Sequence, residues 1–418
     1  MPDATLDPWW DFALDAGDNP HLTDETGRPV VNPPDADGRL GLDYSSYLGL
    51  DLLLSAQVPA SRVPDERVFV IIHQVFELVF KQMAFDLAVA ARTCEALAAL
   101  DEAEALGLAT EPLPDERGPS AFWRPGLTAA ARLRHSARVV LPAVMSLVGH
   151  GTDGDVLFST LEYQRFRDLL TPASGFQTAQ LRLIQRALGK GPLLDVPVFP
   201  GATYGANYTG APCGHVALGD PLVLRSGHPR AFPDDDHPAH LVTRLDALAH
   251  AVLARLASEA DGLPAPPTVR RILEEDLDRS AARVRATLGK APDADAVAER
   301  FRRDLAAVAE RENARRGGLV DARLGAHALH VRHPRTCLAF VLDRLASADA
   351  ALHDPGAESF LTAHRKAVRR HVAGEGGTGG GGMPYLVTSQ RFLLPLFPAL
   401  VAYADLGAAG TAEAPDRW

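Results

Sequence analysis

The chain has 418 residues, 46% hydrophobic and 23% charged, a globular composition with enough apolar material for a large core. Its formal net charge of -11 excludes nucleic acid as a natural partner, because phosphate contacts need a basic face. Three widely spaced cysteines, Cys94, Cys213 and Cys337, exclude a disulfide framework.

The opening MPDATLDPWWDF lacks the basic and apolar regions of a signal peptide. No apolar run reaches the ~18 residues of a membrane span. The expectation is therefore a cytoplasmic protein with no membrane partner.

Residues 1–43 are rich in Pro, Asp, Asn and Gly and read as an irregular arm. From Tyr44 the pattern turns helical, with Tyr44, Tyr47, Leu48, Leu52 and Gln57 spaced by one to five residues. Pro64-Asp65-Glu66 opens a long helix: proline lacks only an N–H that would be unpaired, and two acids suit the positive end of the dipole. Phe69, Ile72, His73, Phe76 and Phe80 then share one face. Helices are predicted over 128–149 and 157–170, the latter broken at Thr171-Pro172-Ala173. Ser174 and Gln177 have capping-box spacing for a helix to about Leu188.

Residues 189–237 are rich in Gly, Pro and Asp and read as a long loop excursion with a short hairpin. Helical pattern returns over 238–258, 267–288, 293–316 and 322–351; the 267–316 part reads as a solvated, charged helical hairpin. Phe360, Leu361, His364, Ala367, Val368 and His371 share a helical face that ends at Gly374, before a Gly-rich loop over 374–384. The fold class is all-α, with residues 44–418 forming a single helical domain.

Four features carry possible chemistry. His73 and His364 each sit on an apolar face, where a histidine is either a core residue or a ligand. His333 and Cys337, four apart on the predicted 322–351 helix, have weak metal-ligand spacing. Arg167 lies one turn beyond Tyr163 and suits either a carboxylate fork or a surface ion pair. The glycines around Thr378 suit either a linker or a loop closing on a ligand, with no phosphate-binding pattern.

Three blocks taken together resemble the tryptophan 2,3-dioxygenase family. They are YSSYLGLDLLLSAQ (44–57) with FVIIHQVFELVFKQMAFDL (69–87), FRDLLTPASGFQTAQLR (166–182), and HRKAVRRHVAGEGGTGGGGMPYL (364–386). The resemblance implies a helical bundle enclosing a haem b, with His364 as the proximal ligand of the iron. It implies that His73 is the distal catalytic histidine beside the indole nitrogen and that Phe69 packs on the substrate. Arg167 would pair the substrate carboxylate, Thr378 would hold the amino-acid end, and Tyr163 would line the pocket. Tyr44 and Tyr47 would reach a neighbouring subunit's pocket in a homotetramer.

The implied activity is insertion of dioxygen across the indole C2–C3 bond of tryptophan, or a substituted tryptophan, to give N-formylkynurenine. The sequence departs from the family at Pro64, at Val79 and at Gly381 to Pro384. The last departure suits a monooxygenase of the same superfamily acting on a modified tryptophan or another aromatic amino acid. A non-catalytic haem-binding sensor is the alternative from another class.

Overall fold

In the computed structural model the described residues are 44, 48–113, 120–147, 160–167, 169, 178–188, 197–199, 202–203, 241–258, 332–353 and 359–371, with scattered positions between 278 and 329. The order of elements is α1 (Leu50–Ser55), α2 (Pro64–Ala98), α3 (Glu102–Ala109), α4 (Arg124–His135), α5 (Leu141–Ser146), α6 (Thr160–Arg167) and α7 (Ala179–Ala187). An antiparallel pair follows, β1 (Pro197–Phe199) with β2 (Ala202–Thr203). Then come α8 (Leu241–Leu248), α9 (Ala254–Ala257), α10 (Cys337–His353) and α11 (Phe360–His371). Wide π-turns at Ser136–Val140 and Ala249–Leu253 join α4 to α5 and α8 to α9.

The 35-residue α2 is the axis of the bundle and packs against α4, α7 and α8. Pro64 stands in its first turn, as predicted. No side chain caps it at Val63. Instead Glu66 reaches back and accepts from the backbone N–H groups of Ala60 and Ser61, both at 2.7 Å, and from the Ser61 hydroxyl. That carboxylate fixes the entry of the chain into α2 and plays the part of the acid in a capping box. Burial alone would raise its proton affinity, but the three donors together hold the carboxyl below its usual range.

Farther along, Met83, Ala84, Leu87, Ala88, Ala90, Ala91, Cys94 and Leu97 are essentially without exposure. Each fully buried large side chain contributes roughly 1.5–3 kcal/mol. Small residues let the helices close up. A Cβ on Gly126 of α4 would come within 2.8 Å of the Thr93 side chain, so glycine sets the approach of α4 to α2. Asp86, also buried, receives Arg132 Nε and Nη2 at 2.9 and 2.6 Å and Gln82 Nε2 at 3.1 Å.

By length and mean hydropathy α2 could cross a membrane, a property the search for uninterrupted apolar runs missed. It packs against α4, α7 and α8 with the Met83–Leu97 face buried, while Val68, Ile71 and Leu78 are exposed.

Among the described residues most predicted elements are present; the 238–258 helix is interrupted by the second π-turn, and three others differ. The 128–149 helix begins at Arg124 and is interrupted by the first π-turn. The 322–351 helix is broken: Pro334 and Arg335 form a turn, Thr336 bridges to Pro112, and α10 starts only at Cys337. Proline cannot donate its backbone hydrogen bond and disfavours helix at the residue before it. For α7, Thr178 Oγ accepts from the Leu181 N–H at 3.4 Å; Ser174 and Gln177 lie outside the described residues. The predicted hairpin of the 189–237 excursion is the β1–β2 pair. The domain limit at 43/44, the whole 374–384 glycine-rich loop and most of the 267–316 charged segment also lie outside the described residues.

Candidate functional site

The N-terminal half of α2 differs from the core half in carrying rings. Phe69 and His73, one turn apart, pack at 3.9 Å between centroids. On the far side of Phe69 stand Tyr163 and Phe166 of α6, at 5.9 and 5.6 Å. Val63, Phe166, Phe69 and Tyr163 form a small apolar cluster separate from the main core. Continuing past His73, Phe76 lies at 6.2 Å, then Phe360 of α11 at 5.3 Å from Phe76, and finally His364 at 6.0 Å from Phe360. Helices α2, α6 and α11 thus build one wall of rings, with His73 in its middle and His364 at its α11 end.

The chemistry of each histidine follows from its neighbours. His73 Nδ1 lies 2.8 Å from the Phe69 carbonyl oxygen. A carbonyl only accepts, so Nδ1 carries the proton and Nε2 of the neutral ring is left as an acceptor. Burial lowers the proton affinity of His73, against the partial support of that hydrogen bond.

His364 is pushed down to about 4, first by burial and then by the charge of His73. The two rings are therefore near enough to feel one another, and both are neutral at pH 7. Among the described residues no hydrogen bond is recorded to either ring nitrogen of His364. A half-buried neutral imidazole with an unused lone pair is the form a metal requires. That donor fits an axial ligand of haem iron.

Glu77 is half-buried one turn beyond His73. Burial raises its proton affinity, while a hydrogen bond with Thr178 opposes this. The contact ties α2 to the start of α7.

The structure thus brings together Phe69, His73, Tyr163 and, through Phe76 and Phe360, His364. Arg167 is helical at the end of α6, directly after buried Phe166; its side chain is not among those described. Tyr44 is 75% exposed and has no recorded contact with the wall. Tyr47 and Thr378 lie outside the described residues. Phe166 was not singled out in the sequence, although its place three residues after Tyr163 was a usable signal; Phe360 was placed on a helical face but given no role.

The His333–Cys337 pair is corrected. The turn at Pro334 takes the two off a common helix, and the Cys337 thiol is buried, pushed up to about 11, and directed at the Pro112 carbonyl at 3.5 Å. Such a thiol is a poor ligand. Among the described residues no cluster of three His, Cys, Asp or Glu could hold a metal ion.

Residues 32–108, which include Phe69 and His73, match the family described as Tryptophan 2,3-dioxygenase. Similar proteins include the tryptophan 2,3-dioxygenase of Bdellovibrio bacteriovorus, 35% identical over 35% of this chain and 34% of that protein. That of an Anaeromyxobacter species is 34% identical over 36% of this chain and 44% of its own length. The mouse protein of that name is 31% identical over 38% and 34%. The chain therefore spans between a third and a half of the length of these relatives.

Proposed function

From this kinship with the tryptophan 2,3-dioxygenase family, we propose that the chain is a haem-dependent oxygenase of an aromatic amino acid, with L-tryptophan as substrate and N-formylkynurenine as product. The observation that supports it most is the pair of neutral histidines, His73 and His364, on one aromatic wall. His364 would hold the iron of a haem b. When bound, the haem supplies the activation of dioxygen that no side chain provides.

The remaining work is positioning by the chain itself. His73, locked through Nδ1–H to Phe69, offers Nε2 to the indole N–H and so orients the ring. Because that nitrogen is already an acceptor, the role is to hold the substrate. Phe69 and Tyr163 supply flat apolar surface. Arg167, beside the wall in sequence, is the fork for the carboxylate, and Thr378 the hydroxyl for the amino-acid end.

The same reading places the enzyme in the cytoplasm as a homotetramer, with Tyr44 and Tyr47 reaching a neighbour's pocket. Exposed Tyr44, Leu53, Leu54 and Val58, with Val68, Ile71 and Leu78 on the outward face of α2, support an assembly that covers apolar surface. The Gly-Gly-Met-Pro run at Gly381 to Pro384 favours a second reading, monooxygenation of a substituted tryptophan.

The test is an optical spectrum of the ferrous protein with L-tryptophan and labelled dioxygen, followed by mass spectrometry. A Soret band and a product gaining two labelled oxygen atoms is the expected result. One labelled atom selects the monooxygenase. Haem without any oxygenated product from tryptophan or its substituted forms overturns the catalytic reading and leaves a sensor. No Soret band overturns the haem assignment.

A further inference from the structure

Helix α4 ends in three basic residues, Arg132, Arg134 and His135, and the π-turn adds Arg138. Arg132 is engaged by Asp86. Among the described residues, neither Arg134 nor Arg138 forms an ion pair with an acid. Both turn to α10, where Arg134 Nε and Arg138 Nη1 donate to the same oxygen, Ser347 Oγ, at 3.2 and 3.1 Å. One turn back on α10 lies Arg344, its guanidinium 4.4 Å above the Phe340 ring and joined to Asp343 at 2.9 Å. The Arg344 side chain is 11% exposed, so this third cation is held in place against Phe340 and Asp343.

Arg134 and Arg138 thus meet at Ser347 with Arg344 one turn away on α10, and among the described residues the acid paired with any of the three is Asp343. The local charge is +2 in a chain whose net charge is -11. Arg134 shows the conflict: burial first, then Arg344 and Arg138, disfavour its charge, and Asp343 only partly compensates. Drawing two cations onto one neutral hydroxyl is unfavourable unless something else shares the site. Ser347 accepts both donors and keeps its own O–H for a further acceptor. Two forks, a hydroxyl donor and a +2 charge match a tetrahedral dianion better than a single carboxylate. Wide π-turns are also frequent at functional sites.

We propose that the groove between α4 and α10 binds a phosphate-class oxyanion through Arg134, Arg138, Arg344 and Ser347. Its residues are not those of the ring wall, so the site stands independently of the oxygenase reading. Ser347 lies in mid-helix and serves as a ligand.

The test uses the purified full chain and inorganic phosphate at constant ionic strength, read by thermal unfolding and by phosphorus NMR line broadening. Phosphate is expected to raise the unfolding midpoint, with half-saturation on the order of 1 mM for a partly screened site. Arg138 is exposed, so its variants should fold. R138Q should weaken binding roughly tenfold. R138E places a carboxylate in the site and should raise the midpoint without phosphate while abolishing the response. Glycerol phosphate binding roughly tenfold more tightly than phosphate would identify a phosphorylated metabolite as the source, and equal binding the free ion. The proposal is overturned if chloride or succinate gives the same shift as phosphate. An unchanged response in R138Q and R138E, or no response at all, overturns it as well.

Discussion

Between Met83 and Leu97, α2 is lined with Met, Ala, Leu and Cys that water does not reach; between Phe69 and Phe80 the same helix carries phenylalanine rings and a histidine, of which Phe69 and His73 are only half-buried. The first stretch fits its neighbours through small residues and backbone approach, as at Gly126 against Thr93. The second meets α6 and α11 through rings 5–6 Å apart, leaving His73 and His364 neutral and His364 without a hydrogen-bond partner among the described residues. A dry, close-packed segment anchors the axis of the bundle. An aromatic segment continuous with it can then present fixed polar atoms without rebuilding the core.

Substitutions should separate the two halves. The largest effect is expected for His364→Ala, which should reduce bound haem at least roughly tenfold, measured by pyridine haemochromogen absorbance, while leaving far-ultraviolet circular dichroism unchanged. Normal haem content in that variant would end the ligand assignment.

In the dry half, Leu87→Ala should cost about 2–5 kcal/mol in denaturant unfolding, with haem per folded chain unchanged. A loss of haem at equal folding would show that the halves are not separable.

His73→Ala should lower turnover on tryptophan by roughly tenfold or more, the worth of one oriented hydrogen bond, with haem retained. An analogue methylated at the indole nitrogen should lose most of the difference between the two proteins. An undiminished difference with that analogue would remove the acceptor role.

The smallest effect belongs to Glu66→Gln, at about 1 kcal/mol at pH 7. Since the folded carboxyl is held below its usual range, its stabilisation is present above the ordinary carboxylate pKa and lost as pH falls through the lower folded value. Chemical denaturation of both proteins from pH 7 down to 3 should show the gap closing at the acid end. A gap independent of pH would mean that the amide replaces the carboxylate fully.

How far the site could be read in advance depended on chain distance. His73 with Phe69, and Phe360 with His364, are each four residues apart, so helical periodicity put each pair on one face. Nothing in either segment tells that the two faces meet through Phe76 and Phe360, or that Phe166 closes the far side of Phe69. The resemblance implied that His73 and His364 face one haem and that Tyr163 lines the pocket, but it named neither Phe76 and Phe360 nor Phe166. Where the reading failed, a local residue outweighed a longer pattern: Pro334 cut the helix that would have set His333 beside Cys337. Glu66 was legible as a first-turn acid but not as the clasp of the Ala60–Ser61 loop.

The sequence by itself determined the helical class, the start of α2 at Pro64 and the faces that carry His73 and His364, because propensity, capping and periodicity act within one or two turns. Tertiary structure alone decided which faces became neighbours, the neutrality of the histidines, and the meeting of Arg134 and Arg138 on Ser347. Those depend on desolvation and on charges brought close from helices about two hundred residues apart in the chain, as at Arg138 and Ser347 (209 residues apart).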